Sequence, residues 1–448
     1  MKVTGIHIED FHQFKNFDID LTYPKGHVKQ GEPLDKVCFI GQSGTGKTKL
    51  LEIIGGLTFN YHSFINKYNF SHYNGIISIK DFDLTYTIRI SPTYNFLYSI
   101  ENGKKNGEQI EKSVCIAEIE KNVLHSKPNL IYYPAEFRYD ILPETNSEDF
   151  KERNIIDFGI EKISSLWTII LNQVQRHQEK ELEIRQEISR VVEDNKNDIN
   201  AITRALKTLE DWKKDNFNPL EDIAENCLNP ILEKFQLRVK TKLDFKRKED
   251  IGFIKIEDFN GNEIPFAFWS TGTKQSILSI LPLYLLKPKR TLILYDEPER
   301  SLYPDLQKLI IGYYQQYTVD SQFFFATHSP IIASSFEPWE IIELKYNAEG
   351  YIEQERYYEG ERHVDNYIVS PDHLTYDLIL SKVFDLKETY SPVRDEKITE
   401  VLMLRNQLGK LKKEGKLATP QGESIYDEYM KLAKKLSWDF EMPQYEKA

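Results

Sequence analysis

The run Gly41-Gln42-Ser43-Gly44-Thr45-Gly46-Lys47-Thr48 constrains this chain more than any other feature. It follows an apolar stretch, Val37-Cys38-Phe39-Ile40, and opens a stretch of helical character, Lys49-Leu50-Leu51-Glu52-Ile53-Ile54. That order is strand, glycine-rich loop, helix. Glycines let the backbone turn tightly enough to aim several N–H groups at one phosphate. The helix that follows presents its positive dipole end to the same anion. In such a phosphate-binding loop, Lys47 is expected to reach the β- and γ-phosphates of a nucleotide. Thr48 is expected to set its hydroxyl on Mg²⁺.

At 448 residues the chain can hold one large domain with insertions, or two domains. Its net charge of −12 argues against a globally basic nucleic-acid binder but leaves room for a local basic groove. No apolar run approaches the ~20 residues that span a bilayer. The first residues, Met1 to His7, read as a strand and not as the apolar core of a signal peptide. Cys38, Cys115 and Cys227 lie far apart with no CxxC, so neither a zinc site nor a disulfide framework is expected. A cytoplasmic protein without a membrane partner fits these features.

Residues 1–25 alternate apolar and polar like a hairpin, through Ile6, Ile8, Phe14, Phe17 and Ile19. Residues 75–100 carry three further antiparallel strands, with Asn102-Gly103 and Asn106-Gly107 as turn signals. Leu130-Ile131-Tyr132-Tyr133 reads as a buried strand ending at Pro134. From Ser164 through Phe217 there is no proline or glycine, and the charged run Gln173–Lys214 predicts a long helix that turns back near Asn195–Asp198. Strand alternation returns over Val239–Phe259, and residues 371–448 look mainly helical.

Three more segments carry chemistry. Thr291-Leu292-Ile293-Leu294-Tyr295-Asp296-Glu297-Pro298 is an apolar strand ending in two acids, the Walker B form. Asp296 at the strand tip would hold Mg²⁺, and Glu297 beside it would polarise the attacking water as general base. Trp269-Ser270-Thr271-Gly272-Thr273-Lys274-Gln275 sets small hydroxyl and glycine residues at a helix start, a form that suits an anion. Phe323-Phe324-Phe325-Ala326-Thr327-His328 is a strand ending in a histidine that could hydrogen-bond the γ-phosphate.

Together these four segments resemble the ABC-type ATPases of the SMC and OLD-like group, over roughly residues 1–60 and 260–345. The resemblance implies an α/β ATPase head: a mixed sheet with flanking helices, an antiparallel β-subdomain, a short helical-arm insertion and a helical C-terminal tail. It implies ATP with Mg²⁺ as ligands. It gives Ser270, Gly272 and Gln275 the signature role, binding the γ-phosphate held by a second subunit, and His328 the switch role. Homo-oligomerisation follows, as a head-to-tail dimer that could assemble further into a hexamer. The expected parts are an N-terminal lobe (1–157), a helical arm (158–236), a C-terminal lobe (237–350) and a helical extension (351–448). Two positions depart from the pattern. Tyr303 stands where many OLD-like relatives have histidine, and the Q-loop glutamine has no clear match, with Glu136 or Arg138 as stand-ins.

Only 120 residues follow His328, short for a Toprim nuclease, and no DxD occurs among them. The arm lacks a zinc-hook CxxC and is short for an SMC protein. The layout looks like the ATPase subunits of bacterial anti-phage systems. The Septu type, also found with retrons, works beside a separate HNH nuclease; that of PARIS, which holds a Toprim effector, comes second. The expected function is an ATP-hydrolysing scaffold and sensor that controls a separate nuclease. The alternative is a DNA-repair or recombination ATPase that binds DNA directly through basic residues such as Lys104, Lys105, Lys240, Lys242, Lys246, Arg247 and Lys248.

Overall fold

The computed structural model describes residues 1–58, 72–91, 97–125, 127–136, 153–159, 164–194, 198–242, 254–355, 370–384, 386 and 391–437. Arg138, Lys246, Arg247, Lys248 and the helix reversal at 195–197 lie outside them. The chain divides into two compact units, Met1–Tyr376 and Asp377–Ala448.

The first unit is α/β and is built on one mixed sheet. Its strands are β1 (Lys2–Phe11), β2 (Phe14–Asp20), β3 (Lys36–Gly41), β4 (Asn74–Asp81), β5 (Leu84–Ser91), β6 (Leu97–Lys105), β7 (Glu108–Gln109), β8 (Leu130–Tyr133) and β9 (Ile155–Asp157). A small separate sheet takes β10 (Leu237–Val239), β11 (Ile256–Asp258) and β12 (Glu263–Ile264). The main sheet adds β13 (Leu292–Asp296), β14 (Gln322–Ala326), β15 (Ile341–Tyr346) and β16 (Ile352–Glu355). Its order among the described residues is β7-β6-β5-β4-β1-β2-β16-β15-β3-β14-β13-β8-β9. The half from β7 to β2 is antiparallel, and the half from β15 to β9 is parallel.

The parallel strands β13 and β14 are buried at every position, which explains why they read as unbroken apolar runs. Alternation across β13 then sorts the residues by face. Leu292 and Leu294 join the core that contains Leu50, Leu51, Ile53 and Ile54 of helix α1 (Lys47–Thr58). Asp296 shares that face. Tyr295 points the other way, stacks between Tyr133 and Tyr314, and donates its hydroxyl to Ser279 O at 3.0 Å.

One turn signal is corrected. Asn106-Gly107 turns the chain from β6 to β7, but Asn102-Gly103 lies inside β6. Asn102 takes φ 52°, and the pairing of β5 with β6 shifts register there, so the pair forms a bulge. Helix α2 (Lys112–His125) packs over this bulge and buries Cys115.

Helix α3 (Ser164–Asp194) extends about 45 Å at 1.5 Å per residue and is followed by α4 (Ile199–Asp215), capped by the Asp198 carboxylate. The two run antiparallel, with Lys213 on Glu181 at 2.9 Å and the His177 ring 4.8 Å from that of Trp212. The base of α3 buries Trp167, Ile170 and Val174, whereas α4 buries nothing.

Helix α5 (Thr271–Leu286) precedes β13, and α6 (Pro304–Gln316) follows it. The second unit holds α7 (Pro392–Lys413) and α8 (Pro420–Lys435), a hairpin with its own small core of Val401, Leu404, Tyr429, Leu432 and Leu436. No helix among the described residues is long and apolar enough to cross a membrane.

Candidate functional site

The parallel strand order β3-β14-β13 aligns three carboxyl ends. Phe39 pairs with Ala326, and Ala326 with Asp296. The glycine loop after β3, His328 after β14 and the Asp296-Glu297 pair of β13 therefore leave the sheet at one edge, where open α/β sheets bind ligands.

The loop is folded back by its own side chains. Thr45 donates its hydroxyl to Gln42 O at 2.8 Å, and the Lys47 ammonium donates to Gly41 O at 2.8 Å and Gln42 O at 3.0 Å. Gly46 sits at φ +84°, and a Cβ there would lie 2.6 Å from both the Gln13 amide nitrogen and the Phe14 ring. Glycine is thus required twice over, by conformation and by space. Tyr346 supports the tip by donating its hydroxyl to Gly44 O at 2.7 Å.

The loop opens on a cleft of about 420 Å³ lined by Ser43, Gly44, Lys47, Thr48, Asp296, Glu297 and His328, among others. Thr48 Oγ1 lies 3.0 Å from each carboxylate oxygen of Asp296. Two hard oxygen donors side by side suit a magnesium ion. Glu297 takes φ 49°, left-handed for a non-glycine residue, and its N–H donates to Ala326 O at 2.8 Å. The turn carries the side chain off the end of the strand into the cleft.

Burial sets the electrostatics. It pushes the Asp296 carboxyl up to about 7, with the nearby acids Glu297, Glu52 and Glu299 adding and the Thr48 hydroxyl opposing. Burial brings the Lys47 ammonium down to about 8, against the pull of Asp296, Glu297 and Glu299. His328 is held below the usual imidazole range by burial and by the Lys47 charge, which favours a neutral ring. Burial raises Glu299, which accepts the His328 N–H at 2.9 Å.

The signature segment lies elsewhere. Ser270 caps α5, accepting Thr273 N–H at 3.0 Å, and it is exposed together with Thr271. Gly272 abuts the Ser301 carbonyl, where a Cβ would meet the oxygen at 2.5 Å. Gln275 is buried, so its side chain is not presented at the surface that carries Ser270. None of the three lines the cleft of its own chain. Of the Q-loop stand-ins, Glu136 accepts from Arg300 at 2.6 Å, and Arg300 also donates to Ala135 O at 3.2 Å. The basic candidates Lys105 and Lys240 are paired, with Glu118 at 3.0 Å and Glu263 at 2.8 Å.

Sequence reading passes over Gln13, Glu52, Tyr346 and the inward role of Glu299. Gln13, in the turn between β1 and β2, and Tyr346, at the end of β15, reach the loop from elsewhere in the chain, and no local pattern marks them. Glu299 stands two residues from Glu297, but nothing in its neighbours announces that it turns inward.

The profile of the AAA ATPase domain family matches residues 1–333. No curated protein matches the sequence. Similar solved structures include the Smc head domain with an extended coiled coil bound to the C-terminal domain of ScpA, from Pyrococcus furiosus. It is 14% identical with a TM-score of 0.41, over 79% of this chain and 95% of that one. The SMC head domain from Thermotoga maritima is 11% identical with a TM-score of 0.36, over 79% and 98%.

Proposed function

We propose, from the premise that the chain belongs to the AAA ATPase domain family and is an ATPase, that it binds MgATP in the cleft at the end of β3, β14 and β13. The observation that carries this reading is the convergence of Lys47, the Thr48–Asp296 pair, Glu297 and His328 on one cleft. In it, residues Gly41–Thr48 wrap the phosphates, Lys47 neutralises the β- and γ-phosphates, and Thr48 with Asp296 holds Mg²⁺. The metal supplies charge neutralisation at the phosphate oxygens. Glu297 takes the proton of the attacking water, and neutral His328 donates a hydrogen bond to the γ-phosphate. A strand tip holds these groups in place, and phosphoryl transfer depends chiefly on such positioning.

Two chains then meet head to tail, each presenting Ser270 and Gly272 to the nucleotide of the other. Phe268, 79% exposed and two residues before Ser270, supports a protein-covered surface there. Gln275 packs inside and takes no part in this arrangement. In this reading Gly272→Asp leaves ATP binding to the single chain intact. The new side chain has no room against Ser301 and sets a negative charge towards the partner's phosphates. ATP-dependent dimers are expected to disappear in light scattering, and hydrolysis to fall on the order of 100-fold. An unchanged dimer fraction with ATP contradicts the signature assignment.

The biological role is that of a scaffold and sensor in an anti-phage complex, restraining a separate nuclease. The α7–α8 hairpin, which buries its apolar residues against itself while leaving Leu402 and Met403 exposed, supports a docking element outside the ATPase core. Removing residues 391–448 is expected to keep ATP hydrolysis within about twofold, as for a unit with its own core. The same truncation should abolish co-purification with an HNH or Toprim nuclease co-expressed from a neighbouring gene. A truncated chain that still brings down the nuclease overturns the docking role. A full-length chain that never does so overturns the scaffold role.

A further inference from the structure

The segment after β13 does more than connect a strand to a helix. Glu297 turns left-handed, Glu299 folds back towards β14, Arg300 reaches Ala135 and Glu136, and Ser301, left-handed at φ 61°, abuts Gly272. Of these contacts the one from Glu299 bears directly on the cleft. Its Oε1 accepts the backbone N–H of His328 at 2.9 Å, and its Oε2 is buried. A carboxylate accepting a backbone N–H makes a stronger and shorter bond than a neutral acceptor.

The next residue is gripped as well. Ser329 donates its hydroxyl to Gln307 Oε1 at 2.6 Å, and Gln307 donates to Leu302 O at 2.8 Å. The Ser329 N–H donates to Thr327 Oγ1 at 2.9 Å. The His328 imidazole itself has no hydrogen-bond partner among the described residues. Its place in the cleft is therefore set through the backbone, and the group that holds the His328 N–H, Glu299, comes from the segment between β13 and α6.

We propose that Glu299 is a positioning residue for hydrolysis: by holding the His328 N–H it fixes where the imidazole meets the γ-phosphate. Because the bond originates two residues beyond Glu297, the same short loop sets both the base and the histidine. A shift of that loop moves the two together. The inference rests on the reading of His328 given above, and its test separates the two.

The experiment measures steady-state ATP hydrolysis by the full chain, as kcat and KM, for Glu299→Ala, Glu299→Gln, His328→Ala and the double variant. Misplacing a reacting group by about 1 Å can cost on the order of 100-fold, so Glu299→Ala is expected to lower kcat roughly 10- to 100-fold. KM should stay within about threefold, because the P-loop and Lys47 still hold the nucleotide. Glu299→Gln keeps an acceptor oxygen and should recover most of kcat. In the His328→Ala background, Glu299→Ala should cost less than about twofold more, since the two residues act as one unit.

A Glu299→Ala enzyme with wild-type kcat, or losses that multiply in the double variant, overturns the proposal. Multiplying losses with a lowered melting temperature are what a merely stabilising contact would give. If His328→Ala is itself without effect, the reading of His328 fails and the proposal with it. If His328→Ala is impaired and Glu299→Ala is not, only the positioning role fails. Should Glu299→Ala not fold, as judged by circular dichroism, Glu299→Asp carries the same test, because it keeps the charge but withdraws the acceptor by one methylene.

Discussion

Glu297→Gln is expected to bind ATP with near-normal affinity and to hydrolyse it on the order of 10³-fold more slowly, the usual scale for loss of a general base. The exchange keeps size and shape. The Glu297 N–H bond to Ala326 O is backbone and survives, so the left-handed turn that places the side chain is retained. An amide cannot take a proton from water, so the chemical step alone is affected. ATP that stays intact keeps the two chains together, and the variant should accumulate as a nucleotide-bound dimer. Phosphate release in a single turnover, with light scattering on the same sample, measures both effects. Turnover within tenfold of wild type would remove Glu297 as the base. Normal ATP binding with no dimer would leave the base intact but break the head-to-tail assembly.

Lys47→Ala is expected to abolish ATP binding. The ammonium is buried and held by the carbonyls of Gly41 and Gln42, aimed at the mouth of the loop. Around it lie Asp296, Glu297 and Glu299, the acids that oppose the fall in its pKa. Without the ammonium a triphosphate meets three carboxylates with no fixed protein cation to offset them. Truncating one partner of a buried charged pair costs several kcal/mol, so the dissociation constant should rise on the order of 100-fold or more. Calorimetric titration of the purified chain with MgATP measures this directly. Retained tight binding would move the nucleotide away from the P-loop altogether. A failure of Glu297→Gln concerns hydrolysis or assembly, whereas that of Lys47→Ala concerns binding, so the two results are independent.

Much of the fold was legible because its signals are local. The apolar runs of β13 and β14 read as buried strands, and the charged stretch free of proline and glycine after Ser164 predicted α3. The failure at Asn102-Gly103 is instructive. An Asn-Gly pair signals positive φ, and Asn102 does adopt it, but positive φ serves a bulge as well as a turn. Pairing with β5 on one side and packing of α2 decided which. Gln275, buried in the single chain, shows the same division. Its spacing from Ser270 is set by the sequence, but which side of α5 faces solvent is decided by what the helix packs against.

The chemistry of each segment is written in its own residues: a loop able to cradle phosphate, a strand tip with two acids, a helix start with hydroxyls, a strand ending in histidine. These depend on residues within a few positions of one another, where chain geometry leaves little choice. Which of them share a cleft depends on how the whole chain packs. Thr48 meets Asp296 across 248 positions because β14 lies between β3 and β13 in the parallel half of the sheet, with aligned ends. The same order turned Glu299 onto His328, brought Gln13 and Tyr346 to the P-loop, and kept Ser270 and Gly272 away from it. Strand order is a property of the whole sheet, set by packing among distant segments that no local pattern encodes.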